Sequence, residues 1–129
     1  MVDTSAWVEY LRQTGSPQAI HVRELLAAEV PIATCDPVRM EVLAGARGDH
    51  HLGQLRRLLA GAQTFPTTPG DYEAAAAYAR ACRAQGVAVR RTLDCLIAAV
   101  AIAHGLPVLH RDRDFDKLAA VAPLALHTP

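Results

Sequence analysis

The sequence predicts an α/β fold around a mostly parallel sheet. Short apolar stretches bounded by turn residues, such as "VPIATC" (30–35) and "PVLH" (107–110), alternate with longer segments of helical periodicity. Aspartates stand directly after two such stretches: Asp3 after Met1–Val2, and Asp112 after "PVLH". Parallel sheets bind ligands beyond the carboxyl ends of their strands, so both aspartates should lie at one edge. A chain of 129 residues, 51% of them apolar, has the size of one domain (1–129) with its own core.

Each element follows in order. Met1–Val2 reads as a short strand, with Ser5 as the cap of a helix running to about Arg12. Gly15-Ser16-Pro17 turns into a second helix that ends near Glu29, with Pro17 in its first turn. "VPIATC" is a buried strand, after which Asp36 caps a helix with Pro37 at its first position, ended by Gly45 to Gly48. Residues 49–60 place Leu52, Leu55, Leu58 and Leu59 on one helical face. "QTFPTTP" (63–69) is a strand remnant and a turn, and Gly70-Asp71 leads into a helix stopped by Gly86. Thr92 caps the strongly apolar helix "LDCLIAAVAIAH", stopped by Gly105. "PVLH" is a strand, Phe115–Val121 a short helix, and "LALH" (124–127) a final edge strand.

Composition excludes several classes. No apolar run approaches the roughly 20 residues needed to span a bilayer, and Asp3 sits where a basic leader would begin, which predicts a cytoplasmic protein with no membrane role. The three cysteines, Cys35, Cys82 and Cys95, form no C-x-x-C pair and read as buried free thiols. Zero net charge argues against strong nonspecific nucleic-acid binding. Twelve of the thirteen basic residues are arginine, a feature shared by phosphate-binding surfaces and by GC-rich coding. His50-His51 is too isolated to make a metal site, and Trp7, Tyr10, Tyr72 and Tyr78 read as packing residues.

The acids carry the chemistry. Asp3 ends the first strand and would otherwise be a turn or cap residue. Glu41, in "PVRMEVLAG", has Pro37, Val38, Ala44 and Gly45 as its helical neighbours, and Arg39 and Arg47 lie on other sides. It must therefore face water or meet a cation from a distant segment. Asp94 suits a helix N-terminus, yet it stands at the head of a helix that looks almost wholly buried; Arg90 or Arg91 could pair with it. Asp112, Asp114 and Asp116 alternate as in a calcium loop, but such a loop needs glycine at position 6 and glutamate at 12, where this chain has Lys117 and Pro123. Asp112 then turns into the site, Asp114 either joins it or caps the short helix, and Asp116 is a helix-dipole acid. Carboxylates about 4 Å apart repel by roughly 4 kcal/mol per pair at an effective dielectric of 20, so such a cluster takes up protons or holds a dication. An all-oxygen ligand set selects Mg²⁺ or Mn²⁺.

"VDTSAWVEYLR", "VRMEVLAGAR" and "RRTLDCLIAAVAIAHGLPVLHRDRDFDKLA", in this order and spacing, resemble PIN-domain ribonucleases, and among them the VapC toxins of toxin–antitoxin pairs. The resemblance implies an α/β/α sandwich with a central parallel sheet and a catalytic quartet of Asp3, Glu41, Asp94 and Asp112. It adds Asp114 as a further acid near the metal, and matches Thr4 and Ser5 to the small hydroxyl residues after the first aspartate, expected on the substrate side with one of them orienting a carboxylate or a metal-bound water. It also implies Mg²⁺, with Mn²⁺ as substitute, a homodimer, a VapB-type antitoxin whose C-terminal segment covers the site, and cleavage of structured RNA such as transfer or ribosomal RNA. The short lead before Asp3 departs from the family and predicts weaker pairing of the first strand. The expected reaction is metal-dependent hydrolysis of an RNA phosphodiester, with Asp3, Asp94, Asp112 and Asp114 around the metal and Glu41 as a water-mediated ligand or general base. Arg90 and Arg91 are candidates to hold the RNA backbone. The competing class is a silent PIN-like module whose acids capture a partner's arginine.

Overall fold

In the computed structural model, which describes residues 1–129, the sheet is parallel throughout but very short. Ala33–Cys35 (β1) pairs with Gln63–Phe65 (β2) in the register Thr34 to Thr64. The remaining segments join by isolated parallel bridges, Val2 with Leu109 and Val108 with Leu126. The Val2 N–H donates to Ala33 O at 2.9 Å and the Asp3 N–H to Leu109 O at 3.0 Å. The order across the sheet is therefore β2, β1, Met1–Asp3, Val108–Leu109, Leu126. The first segment is not weakly paired, as its short lead suggested: it lies mid-sheet and bonds to neighbours on both sides.

The strands are shorter than "VPIATC" and "PVLH" suggested, and the prolines explain part of this. Pro31 and Pro107 offer no N–H to a ladder. Val30 is also withdrawn, because its N–H donates to Leu25 O and closes the preceding helix at 3.0 Å.

Seven helices surround the sheet: Thr4–Leu11 (α1), Pro17–Ala27 (α2), Asp36–Ala44 (α3), Asp49–Ala60 (α4), Pro69–Ala84 (α5), Thr92–Ala103 (α6) and Arg113–Ala119 (α7). Their caps depart from expectation in instructive ways. Asp3, not Ser5, caps α1, accepting from the Ser5 N–H. Cys35 occupies the cap position of α3 without a side-chain bond, and Asp36 accepts instead from the Thr67 N–H at 3.2 Å. Arg91, not Thr92, precedes α6. Asp112 caps α7, which therefore starts two residues earlier than expected. A capping box that the sequence reading passed over starts α5: Thr68 and Asp71 bond each other's backbone N–H groups. Gly86 (φ +68) and Gly105 (φ +63) end α5 and α6 as expected, because only glycine adopts that left-handed geometry without strain.

α6 is the spine of the core. Its residues from Asp94 to Ala101 are all buried, packed against α5, α7 and α3. A helix apolar on every side is stable only when enclosed in this way. Trp7 and Phe115 are the largest fully buried side chains. Tyr10 packs edge-on against Trp7, whereas Tyr72 is 59% exposed and does not serve the core. The cysteines are free and buried, and burial pushes the thiols of Cys35 and Cys95 up to about 11, which leaves them inert at neutral pH. No helix is long and apolar enough to cross a membrane.

Candidate active site

Four chain segments bring carboxylates to the carboxyl end of the sheet. Asp3 arrives at the end of the central segment and is 1% exposed. Its Oδ2 accepts from the Ser5 N–H at 2.9 Å and from Ser5 Oγ at 2.6 Å, which fixes the carboxylate. Burial raises its proton affinity above the usual carboxylate range; the Ser5 bonds oppose this, and the charge of Glu41 adds to it.

Glu41 reaches in from α3. Thr4 Oγ1 donates to its Oε2 in a short hydrogen bond, and Arg91 Nη1 donates to its Oε1 at 2.7 Å. The cation that its own helix lacks thus comes from the loop before α6, while Arg39 turns away to Leu59 O.

Asp94, in the first turn of α6, is completely buried. Arg91 Nη2 donates to its Oδ1 at 3.1 Å. Burial drives its pKa up to about 6 against the pull of Arg91, helped by the charges of Asp3, Asp112 and Glu41. Asp94 thus feels the charges of Asp3, Glu41 and Asp112, while the carboxylates that approach one another most closely are those of Asp94, Asp112 and Asp114.

Asp112 follows Val108–Leu109 and caps α7 through the Asp114 N–H at 3.0 Å. Its Oδ1 accepts from Arg90 Nη2 at 2.6 Å, and Arg91 Nη2 lies 4.0 Å from its Oδ2. Asp114 is buried and saturated: Oδ2 accepts from the Arg90 N–H and Nε at 2.9 and 3.1 Å, and Oδ1 from Lys117 Nζ at 2.8 Å. Burial alone would raise its pKa, but these hydrogen bonds prevail and hold it below the ordinary carboxylate value. Asp116 stays in the first turn of α7, 63% exposed at its side chain, as a helix-dipole acid would. Lys117, the only lysine, is the member of the cluster that sequence reading missed; its i,i+3 spacing from Asp114 was the available signal.

The arrangement fits a hard divalent cation. Carboxylate oxygens of Asp94, Asp112 and Asp114 lie within 4.8 Å of one another. Asp3 Oδ1 and Asp94 Oδ2 are buried with no hydrogen-bond partner, an unfavourable state for anionic oxygens unless a cation meets them. Asp3, Glu41, Asp94, Asp112 and Asp114 are set against Arg90, Arg91 and Lys117. The protein's own cations thus leave two negative charges, which one dication would balance.

The chain matches the family model described as PIN domain over residues 1–121. It is 48% identical over 126 residues to Ribonuclease VapC11 of Mycobacterium tuberculosis, covering 96% of this chain and 94% of that one. VapC ribonuclease Mb1587 of Mycobacterium bovis matches to the same extent. The chain belongs to the PIN-domain VapC ribonucleases. Among solved structures, VapBC2 from Rickettsia felis bound to a DNA fragment from its promoter superposes with a TM-score of 0.76 at 18% identity, covering 98% of this chain and 96% of that one. That likeness establishes the fold as the one the family resemblance implied.

Proposed function

We propose that this chain is the toxin of a VapBC pair and hydrolyses RNA phosphodiester bonds with Mg²⁺, or Mn²⁺ in its place, at Asp3, Glu41, Asp94 and Asp112. The observation that carries this reading is the pair of buried, partnerless carboxylate oxygens on Asp3 and Asp94 in a cluster gathered from four segments. Asp3, Asp94 and Asp112 would hold the cation, with Asp114 beside them. When bound, the dication supplies acidified water and a counter-charge for the phosphate oxygens.

The chain's own residues do the rest. Ser5 fixes Asp3, and Thr4 orients Glu41, which is only 14% exposed at its side chain and takes the proton of the attacking water. Attack on phosphorus breaks the bond to the 3′ oxygen, giving a 5′-phosphate and a 3′-hydroxyl. Arg90 and Arg91, paired with the acids yet 68% and 48% exposed, stand at the rim of the site where they would hold the RNA backbone. A VapB-type antitoxin would restrain the site in a cytoplasmic complex of toxin homodimers, and transfer or ribosomal RNA would be the substrate. The chain folds as one domain over 1–129.

The test uses purified protein free of antitoxin on total RNA, with Mn²⁺ and then with EDTA. Cutting should require metal and vanish in Asp94→Asn. Cutting that persists in EDTA or in Asp94→Asn would refute the mechanism, and RNA-end sequencing after induced expression would identify the target.

A further inference from the structure

The alternation Arg111-Asp112-Arg113-Asp114 leaves its two arginines unexplained, and the structure separates them from the other cations of the site. Arg90, Arg91 and Lys117 all pair with carboxylates. Arg111 and Arg113 are exposed and form no ion pair, although Arg111 lies within electrostatic reach of Glu9; the only side-chain bond of Arg111 is a long one, 3.5 Å from Nη1 to Gln18 Oε1. Both arginines, with Asp112 between them, line two adjoining clefts of about 430 and 460 Å³. The Arg111 backbone N–H donates to Ser5 Oγ at 2.8 Å, and the same hydroxyl holds Asp3. Arg111 is thereby set in register with the acids.

Arg113 is the first residue of α7. A cation at a helix N-terminus opposes the dipole, so stability does not account for its placement. An acidic site that must receive a polyanion needs cations framing it, and these two remain free to do so.

We infer that Arg111 and Arg113 form a clamp for the RNA sugar–phosphate backbone beside the cleaved bond. This rests on the ribonuclease reading and adds the surface that positions its substrate. The clamp contacts phosphates only, so it confers register without sequence choice.

The test is fluorescence anisotropy of labelled bulk transfer RNA in EDTA over a range of KCl concentrations. Arg111→Gln/Arg113→Gln should weaken binding about tenfold near physiological salt and reduce the slope of log K against log salt by about 1.4, since each single-strand phosphate contact contributes about 0.7. The double variant should unfold no earlier than wild type, because Arg113→Gln relieves the dipole. The charge-matched pair Arg23→Gln/Arg56→Gln, exposed on α2 and α4, should leave the slope nearly unchanged. An unaltered slope in the first variant, an equal loss in both, or no binding by wild type overturns the clamp. If the clamp fails while Mn²⁺-dependent cutting and its loss in Asp94→Asn persist, the ribonuclease reading stands without it.

Discussion

Arg91 Nη1 donates to Glu41 Oε1 at 2.7 Å across fifty positions of sequence, and the same guanidinium reaches Asp94 Oδ1 at 3.1 Å. One arginine therefore neutralises two of the site's acids, and its positive charge opposes that of an incoming dication. In Arg91→Gln this competitor is gone, and Mn²⁺ measured by calorimetry at pH 7.5 should bind about tenfold more tightly, equivalent to about 1.4 kcal/mol. The cost should be modest, about 1 kcal/mol of metal-free stability, because Arg91 is 48% exposed and partly screened. Unchanged or weaker Mn²⁺ binding would mean that Arg91 supports the metal ligands and does not compete with the metal.

Asp94 carries a pH signature. Its pKa rises from an ordinary 3.8 to about 6 in the folded state, chiefly through burial. An acid with a raised folded pKa favours the native state at low pH, and that advantage is lost as pH climbs from 3.8 through 6. The rise corresponds to roughly 3 kcal/mol against the folded, ionised form at neutral pH. In EDTA at pH 7.5, Asp94→Asn should therefore be more stable than wild type by about 1–3 kcal/mol, with the gap closing towards pH 4. Urea unfolding across this range provides the check, and a less stable Asn variant at pH 7.5 would contradict it. Added Mn²⁺ should stabilise wild type and leave Asp94→Asn nearly unaffected.

Asp114 has the opposite sign. Held below the ordinary carboxylate value, it contributes stability above that value and loses it as pH falls through its folded pKa. Asp114→Asn leaves Arg90 and Lys117 facing a neutral amide beside a buried core, and urea unfolding at pH 7 should show a loss of about 2–4 kcal/mol. A change below 1 kcal/mol would mean that the exposed arms of Arg90 and Lys117 already satisfy themselves in water.

Ser5 joins two segments, donating to Asp3 and accepting from the Arg111 N–H. Ser5→Ala removes both hydroxyl bonds and leaves the buried Asp3 Oδ2 with the Ser5 N–H alone, so it should cost about 1–2 kcal/mol in thermal unfolding and weaken Mn²⁺ severalfold. Ser5→Thr, which keeps the hydroxyl, should restore most of the metal affinity; failure of that rescue would point to a purely steric role.

Local signals carried much of the fold. Gly86 and Gly105 marked two helix ends, the apolar run from Leu96 to Ala101 marked a buried helix, and alternation of strand and helix marked a parallel sheet. Cap identities were less accessible, because Asp3 and Asp112 each serve as both cap and candidate ligand, and a single sequence position does not separate the two uses. The strand at Met1–Asp3 looked weak from its length; its central place depends on Ala33 and Leu109, which only folding brings beside it.

By itself, then, the sequence determined which acids were costly to leave unpaired: Glu41 had no cation within helical reach, and Asp94 headed an apolar helix. It did not determine their partners. Tertiary structure decided that Arg91 answers both, that Lys117 and Arg90 saturate Asp114, and that Arg111 and Arg113 form no ion pair with the acids of the site. The physical reason is range. Periodicity and propensity act over a turn or two of chain, whereas Coulomb attraction between groups in a shared low-dielectric pocket depends on distance through space, which only the packed sheet and helices fix.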